Sequence, residues 1–160
     1  MKASGYTLIE ILVVLTVIGI LFGVGFVGYR DFGRRQALAG AVKMVQGDLR
    51  VAQQNALSGI KPTGAACNSP RTLSGYHFKV ITDSKYQIQA LCSGGSITIN
   101  DVNMPPNIKI STPLPNPILF KILGMGTDIS VGGASITLTQ GSTGKTQTIS
   151  IGSGGDINIK

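Results

Sequence analysis

Tryptophan is absent from this chain, glutamate occurs once, at Glu10, and histidine once, at His77. Charged residues make up only 13% of the 160, about half the share usual in a soluble domain. So few charges exclude a long coiled coil or bundle laced by ion pairs. One histidine, two cysteines and scattered aspartates leave too few ligands for a metal centre and no local acid–base pair for catalysis. Disorder is excluded from the other side, because isoleucine and valine are plentiful along the whole chain. The charges that remain are unbalanced, 14 Lys and Arg against 7 Asp and Glu, a net charge of +7. Such a balance admits acidic partners without naming one.

The apolar residues are unevenly placed. From 11 to 29 the only side chain that is neither apolar nor glycine is Thr16. As a helix this stretch would be about 28 Å long, enough for a transmembrane span. A cleaved secretory signal would have a shorter apolar core and a small-residue cleavage site, so a retained single-pass anchor is expected. Gly19-Ile20-Leu21-Phe22-Gly23 has the spacing that lets membrane helices approach closely, although the same glycines also soften a helix. Glu10 stands at the start of this run, where a carboxylate is costly to bury and marks a functional position, although a place at the level of the lipid headgroups fits the spacing equally well.

Beyond the span, Leu38, Val42, Val45, Leu49, Ala52 and Ala56 step by four and three, a one-faced stripe expected to pack on a sheet. Lys43, Gln46, Arg50, Gln53 and Gln54 fall elsewhere on the wheel. Gly59 and Pro62 then end the helix. After that the period becomes two. Residues 76–80 and 86–89 flank the turn-prone Asp83-Ser84 as a hairpin, and 96–100, 107–111, 118–122, 135–139, 146–151 and 156–159 read as further short strands. The expected fold is α+β, a long N-terminal helix packed on an antiparallel β-sheet head. Residues 141–146 superficially resemble a phosphate loop. The required first glycine falls on Thr139, however, and the segment reads as a hairpin turn.

The segment Gly5-Tyr6-Thr7-Leu8-Ile9-Glu10-Ile11-Leu12-Val13-Val14-Leu15 resembles the type IV prepilin signature: glycine, an aromatic, Thr-Leu-x-Glu and a long apolar run. Tyr6 stands where the family usually has phenylalanine. The resemblance implies a leader of residues 1–5, cleavage between Gly5 and Tyr6 by a prepilin peptidase, and N-methylation of Tyr6. It implies a filament-core helix half at 6–29, an amphipathic half at 30–58 and a β-rich head at 59–160. It also implies that Glu10 sets the assembly register by meeting the amino-terminal amine of a neighbouring subunit. The expected partners are the peptidase, other pilin or pseudopilin subunits, an inner-membrane assembly platform and membrane lipid.

Residues 118–126, 135–138 and 149–159, with 50–56 late in the helix, resemble the GspH/FimT group of minor pilins and type II secretion pseudopilins. Some members of that group end in a basic Gly-Arg-x-Arg tip associated with DNA. Here the matching positions are Gly155-Asp156-Ile157-Asn158, so Asp156 and Asn158 disfavour nucleic acid at that tip. The expected role is structural, in filament initiation or tip contacts, without enzymatic activity or a cofactor. A DNA-binding uptake subunit and a membrane-anchored extracytoplasmic module that never polymerises remain as alternatives.

Arg30, Arg34, Arg35 and Lys43 follow the span, and the charge rule alone would place the head in the cytoplasm. The resemblance implies the reverse, with the head outside the inner membrane, and a machine-read leader need not obey the charge count. For an exported head, Cys67 and Cys92 favour a disulfide over two free thiols. Closing that 25-residue loop would contribute about 3 kcal/mol.

Overall fold

The computed structural model describes residues 5–160, and the side chains of all of these except 24–28. One helix, α1, spans Leu8–Leu57. Eight strands follow: β1 Leu73–Thr82, β2 Lys85–Cys92, β3 Gly95–Asn103, β4 Ile108–Ile110, β5 Ile118–Lys121, β6 Ala134–Gln140, β7 Thr146–Ile151 and β8 Ile157–Ile159. They form two four-stranded antiparallel sheets, ordered β3-β2-β1-β5 and β4-β6-β7-β8. The α+β architecture expected from the sequence is therefore present, with the head divided into two sheets. The chain separates into two compact units, residues 1–36 and 37–160, and α1 contributes to both.

Within the second unit the stripe on α1 is the core face. Leu38, Val42, Val45, Leu49, Ala52 and Ala56 are all buried, and Ala41 joins them. Facing them are Tyr76, Phe78, Val80, Tyr86, Ile88, Ile118 and Phe120 from the first sheet. The second sheet supplies Ile108, Ile110, Ile136, Leu138, Ile149 and Ile151, and all belong to a single apolar cluster. Alternating burial along β2 and β6, and at Ile149 and Ile151 of β7, aims Tyr86, Ile88, Ala90, Ala134, Ile136, Leu138, Ile149 and Ile151 at this cluster.

Helix α1 ends as its sequence requires. Gly59 takes a left-handed φ of 61°, and the amides of Gly59 and Ile60 bond back to the carbonyls of Ala56 and Asn55. This pattern satisfies the last open carbonyls and favours glycine, which has no Cβ to clash. The β1–β2 hairpin turns at Asp83-Ser84, with Thr82 opposite Lys85. Gly75 is needed for contact rather than conformation. A Cβ there would lie 2.2 Å from the Phe120 carbonyl oxygen, so β5 approaches β1 closely only because residue 75 lacks a side chain.

Polar groups tie α1 to both sheets of this unit. The Tyr86 hydroxyl donates to an Asp48 carboxylate oxygen at 2.5 Å, and the Gln53 amide donates to the Gly155 carbonyl at 2.9 Å. A longer contact of 3.5 Å joins the Gln46 amide to the Ile157 carbonyl. Cys67, in the α1–β1 connection, and Cys92, at the end of β2, are both buried and form a disulfide with Cα atoms 5.3 Å apart.

Among the described residues, no helix is long and apolar enough to cross a membrane. The expected span of 11–29 includes side chains 24–28, which lie outside the described residues.

Candidate processing and assembly segment

Two backbone states meet at the N-terminus of α1. Gly5, Tyr6 and Thr7 are exposed and outside any helix, whereas helical geometry begins at Leu8. The expected leader residues 1–4 lie outside the described residues; Gly5, its last member, is described. Thr7 accounts for the boundary. Its carbonyl accepts from the amides of Glu10 (3.1 Å) and Ile11 (3.3 Å), and its hydroxyl lies 3.4 Å from the Glu10 amide. A threonine N-cap satisfies helix donors that would otherwise lack partners. The bond Gly5–Tyr6 thus sits just upstream of the cap, in the non-helical, accessible backbone that a peptidase requires.

Thr7-Leu8-Ile9-Glu10 has the spacing of a capping box, a signal the prepilin pattern obscured. Glu10 is exposed in the first helical turn, where the positive end of the helix dipole favours a carboxylate. Tyr6 and Glu10 therefore occupy neighbouring positions on one exposed segment.

After Glu10 the helix displays apolar side chains on every side. Leu12 is 55% exposed, Leu15 63%, Ile20 67% and Phe22 76%. Gly19 and Gly23 are exposed as well, and a Cβ built on either would meet nothing within 4 Å. An apolar surface of this extent needs a cover of lipid or of similar helices. The glycines leave a shallow strip where another helix could approach closely.

The head groups singled out in the sequence do not converge on one site. His77 lies half-buried on β1, and burial holds its imidazole below the usual pKa, with Lys79 adding to that effect and Asp128 opposing it. Lys85 pairs with Asp101 at 2.9 Å and Lys109 with Asp83 at 2.8 Å. Lys79 and Lys121 are half-buried on β1 and β5, and Lys145 is exposed in the β6–β7 turn. In that turn the Gln140 side-chain oxygen accepts from the Ser142 and Thr143 amides at 2.6 and 3.1 Å, so residues 141–145 form a hairpin connection.

Asp156 and Asn158 are both exposed on the β7–β8 side of the second sheet. Asp156 borders a shallow groove of about 460 Å³ that also touches Ser135, Ser150 and Lys160. Among the described residues, no group of three or more His, Cys, Asp or Glu is placed to hold a metal ion.

Three contributors were not evident from the sequence. The helical wheel set Gln46 and Gln53 apart from the apolar stripe, yet both reach backbone carbonyls near the C-terminal strand. Asp48 receives the Tyr86 hydroxyl, and no spacing rule announces that pairing.

Residues 1–26 match the family model of the prokaryotic N-terminal methylation motif. Neither a curated protein nor a solved structure matches the chain. The motif supports a type IV pilin-like, prepilin-type protein, processed by a prepilin peptidase and assembling with other pilin subunits.

Proposed function

We propose that this chain is a minor pilin or pseudopilin of the GspH/FimT type, serving a type IV pilus or a type II secretion pseudopilus. Prepilin peptidase cleaves between Gly5 and Tyr6, and Tyr6 is N-methylated. Until assembly the apolar part of α1 anchors the chain in the inner membrane with its head outside. The subunit then enters the filament through the assembly platform and acts structurally, in initiation or tip contacts, without catalysing a reaction. One observation carries this reading: an exposed, non-helical Gly5–Tyr6 bond lies just before a helix whose apolar side chains from Leu8 to Phe22 are all exposed.

The chemistry of assembly follows from that arrangement. Once the apolar helices pack together, Glu10 leaves water, and an isolated carboxylate in such surroundings is strongly unfavourable. The amino group released at Tyr6 of a neighbouring subunit supplies the opposite charge. Pairing at one axial offset satisfies both groups, whereas other offsets leave both unpaired, so the pair selects the register.

The test is Glu10→Ala in cells that make the filament. Cleavage and methylation should proceed as in the parent, but the variant should be missing from sheared filaments. Parent-level incorporation would refute the register role.

A further inference from the structure

We propose that the outer edge of β3 takes up an extended, uncharged segment of a partner protein as an added strand. This edge lies wholly within residues 37–160, so such pairing does not depend on how the apolar part of α1 is used. β3 ends its sheet, with β2 on one side and no strand on the other. An antiparallel neighbour bonds only to alternate residues. The tight Ser93-Gly94 connection sets Cys92 opposite Gly95, and at the far end the Met104 amide donates to the Ser84 carbonyl. Stepping by two from both ends leaves Ser96, Thr98, Asp101 and Asn103 with amide and carbonyl directed away from β2. Among the described residues, no backbone group bonds to them from that side.

The other sheet edges are closed or short. Beside β5 the Lys121 amide donates to the Gly126 carbonyl at 2.9 Å, and the Asp128 amide to the Leu119 carbonyl at 3.1 Å. Beside β4 the Ile108 and Ile110 amides donate to the Pro105 and Asp83 carbonyls at 3.1 and 2.7 Å. β8 has three residues, and Gln46 of α1 reaches its Ile157 carbonyl. β3, by contrast, runs for nine residues without proline, lysine or arginine, the usual guards of a sheet edge. Only Ile97 and Val102 in it are half-buried, and the remaining residues are exposed.

The side chains of β3 define the segment that fits. Residues directly opposite across a sheet share a face. Ile97, Asn100 and Val102 therefore stand on the side of Ala90, Ile88 and Tyr86, and Thr98 and Asp101 on the side of Gln89 and Gln87. Asp101 is the single charge on β3, and Lys85 neutralises it at 2.9 Å. A matching segment alternates apolar with uncharged polar residues and has no proline where a donor is needed. The register shift between Ile88 and Gln89 leaves Ile99 between two regular runs, 95–98 and 100–103, and the segment pairs with both.

The test is amide exchange, followed by nuclear magnetic resonance, of the isotope-labelled full chain in detergent micelles. The probe is a capped synthetic peptide copying β2, Lys85–Cys92, with glutamine for the lysine and serine for the cysteine, because that sequence already matches β3 residue by residue. With peptide bound, the amides of Ser96, Thr98, Asp101 and Asn103 should exchange about tenfold more slowly. Those of Ile97, Asn100 and Val102, already directed at β2, should not change. Thr98→Pro removes one outward donor at a position where an edge strand tolerates proline, and should abolish the protection. N-methylation of alternate peptide residues leaves the protein untouched: methyl groups along one edge of the peptide should abolish binding, and along the other edge should spare it.

Unchanged exchange at millimolar peptide would overturn strand addition, as would equal loss of binding from both N-methylated peptides. Protection of α1 or β4 amides in place of the outward β3 set would overturn it too, by placing the peptide elsewhere. Protection of the outward set that grows with protein concentration in the absence of peptide would assign the edge to a second copy of the chain, against a partner segment.

Discussion

Leu12 and Leu49 belong to the same helix, yet Leu12 is 55% exposed and Leu49 is completely buried. The contrast extends to their units. In residues 37–160 the apolar stripe of α1 and the inward side chains of both sheets pack into one cluster, and side-chain hydrogen bonds link the helix to the strands. In the described part of residues 1–36 the apolar side chains remain outside any core of the chain itself. Similar residue types serve two purposes: in the head, burial stabilises the fold, whereas in the first unit it is deferred until lipid or other subunits provide a cover.

Substitutions should separate the two units, starting with the largest expected effect. Leu49→Ala should destabilise the head by about 2–5 kcal/mol, measured by denaturant unfolding of the detergent-solubilised chain. Leu12→Ala in the same assay should leave head unfolding unchanged and reduce recovery in filaments. A comparable loss of head stability from both changes would erase the distinction between the units.

Replacing Cys67 and Cys92 together by serine should cost the head about 3 kcal/mol, by releasing a constraint on the unfolded chain. Chemical reduction should reproduce the effect, and the first helical turn should not respond to either treatment.

Tyr86→Phe removes the hydroxyl bonded to Asp48 and should cost about 1.5–3 kcal/mol, the usual range for a hydrogen bond to a charged group. The same site has a pH signature. Burial, followed by the Asp48 contact, raises the Tyr86 phenol well above its ordinary pKa of 10.0. Its folded pKa is raised, so its contribution is complete below pH 10 and is lost as pH rises beyond it, when the unfolded chain ionises first. The parent head should therefore lose stability above pH 10, and Tyr86→Phe should flatten that part of the profile.

Thr7→Ala should cost about 1 kcal/mol, confined to the start of α1 and visible as faster amide exchange at Glu10 and Ile11. The smallest effect belongs to the surface pairs. Lys109 holds the Asp83 carboxyl below its usual range and Lys85 does the same for Asp101, chiefly through direct hydrogen bonds. Their depressed pKa values contribute stability above about pH 4 that is lost as pH falls through the folded values. Both pairs are exposed, so added salt should remove most of the effect.

Local periodicity made much of this fold legible. A three-and-four stripe marked the buried face of α1, alternation located all eight strands, and Gly59 marked the helix end. The division into two sheets was not legible, because it depends on long-range pairing. After β3 the chain places β4 beside β6, and β5 returns to the edge of β1.

Polar clamps were hidden for a related reason. Gln46, Asp48 and Gln53 have ordinary solvent-facing spacing, and only the folded chain brings a carbonyl or phenol within their reach. At the N-terminus, Gly5, Tyr6 and Glu10 were legible as a motif, whereas the role of Thr7 required backbone geometry.

The most direct test is the intact mass of the full-length gene product, extracted from membranes of cells with and without a prepilin peptidase. Cells with the peptidase should yield a chain lacking residues 1–5 and carrying one added methyl group on Tyr6, and cells without it the uncut chain. An uncut, unmethylated chain from both would contradict the filament-subunit role.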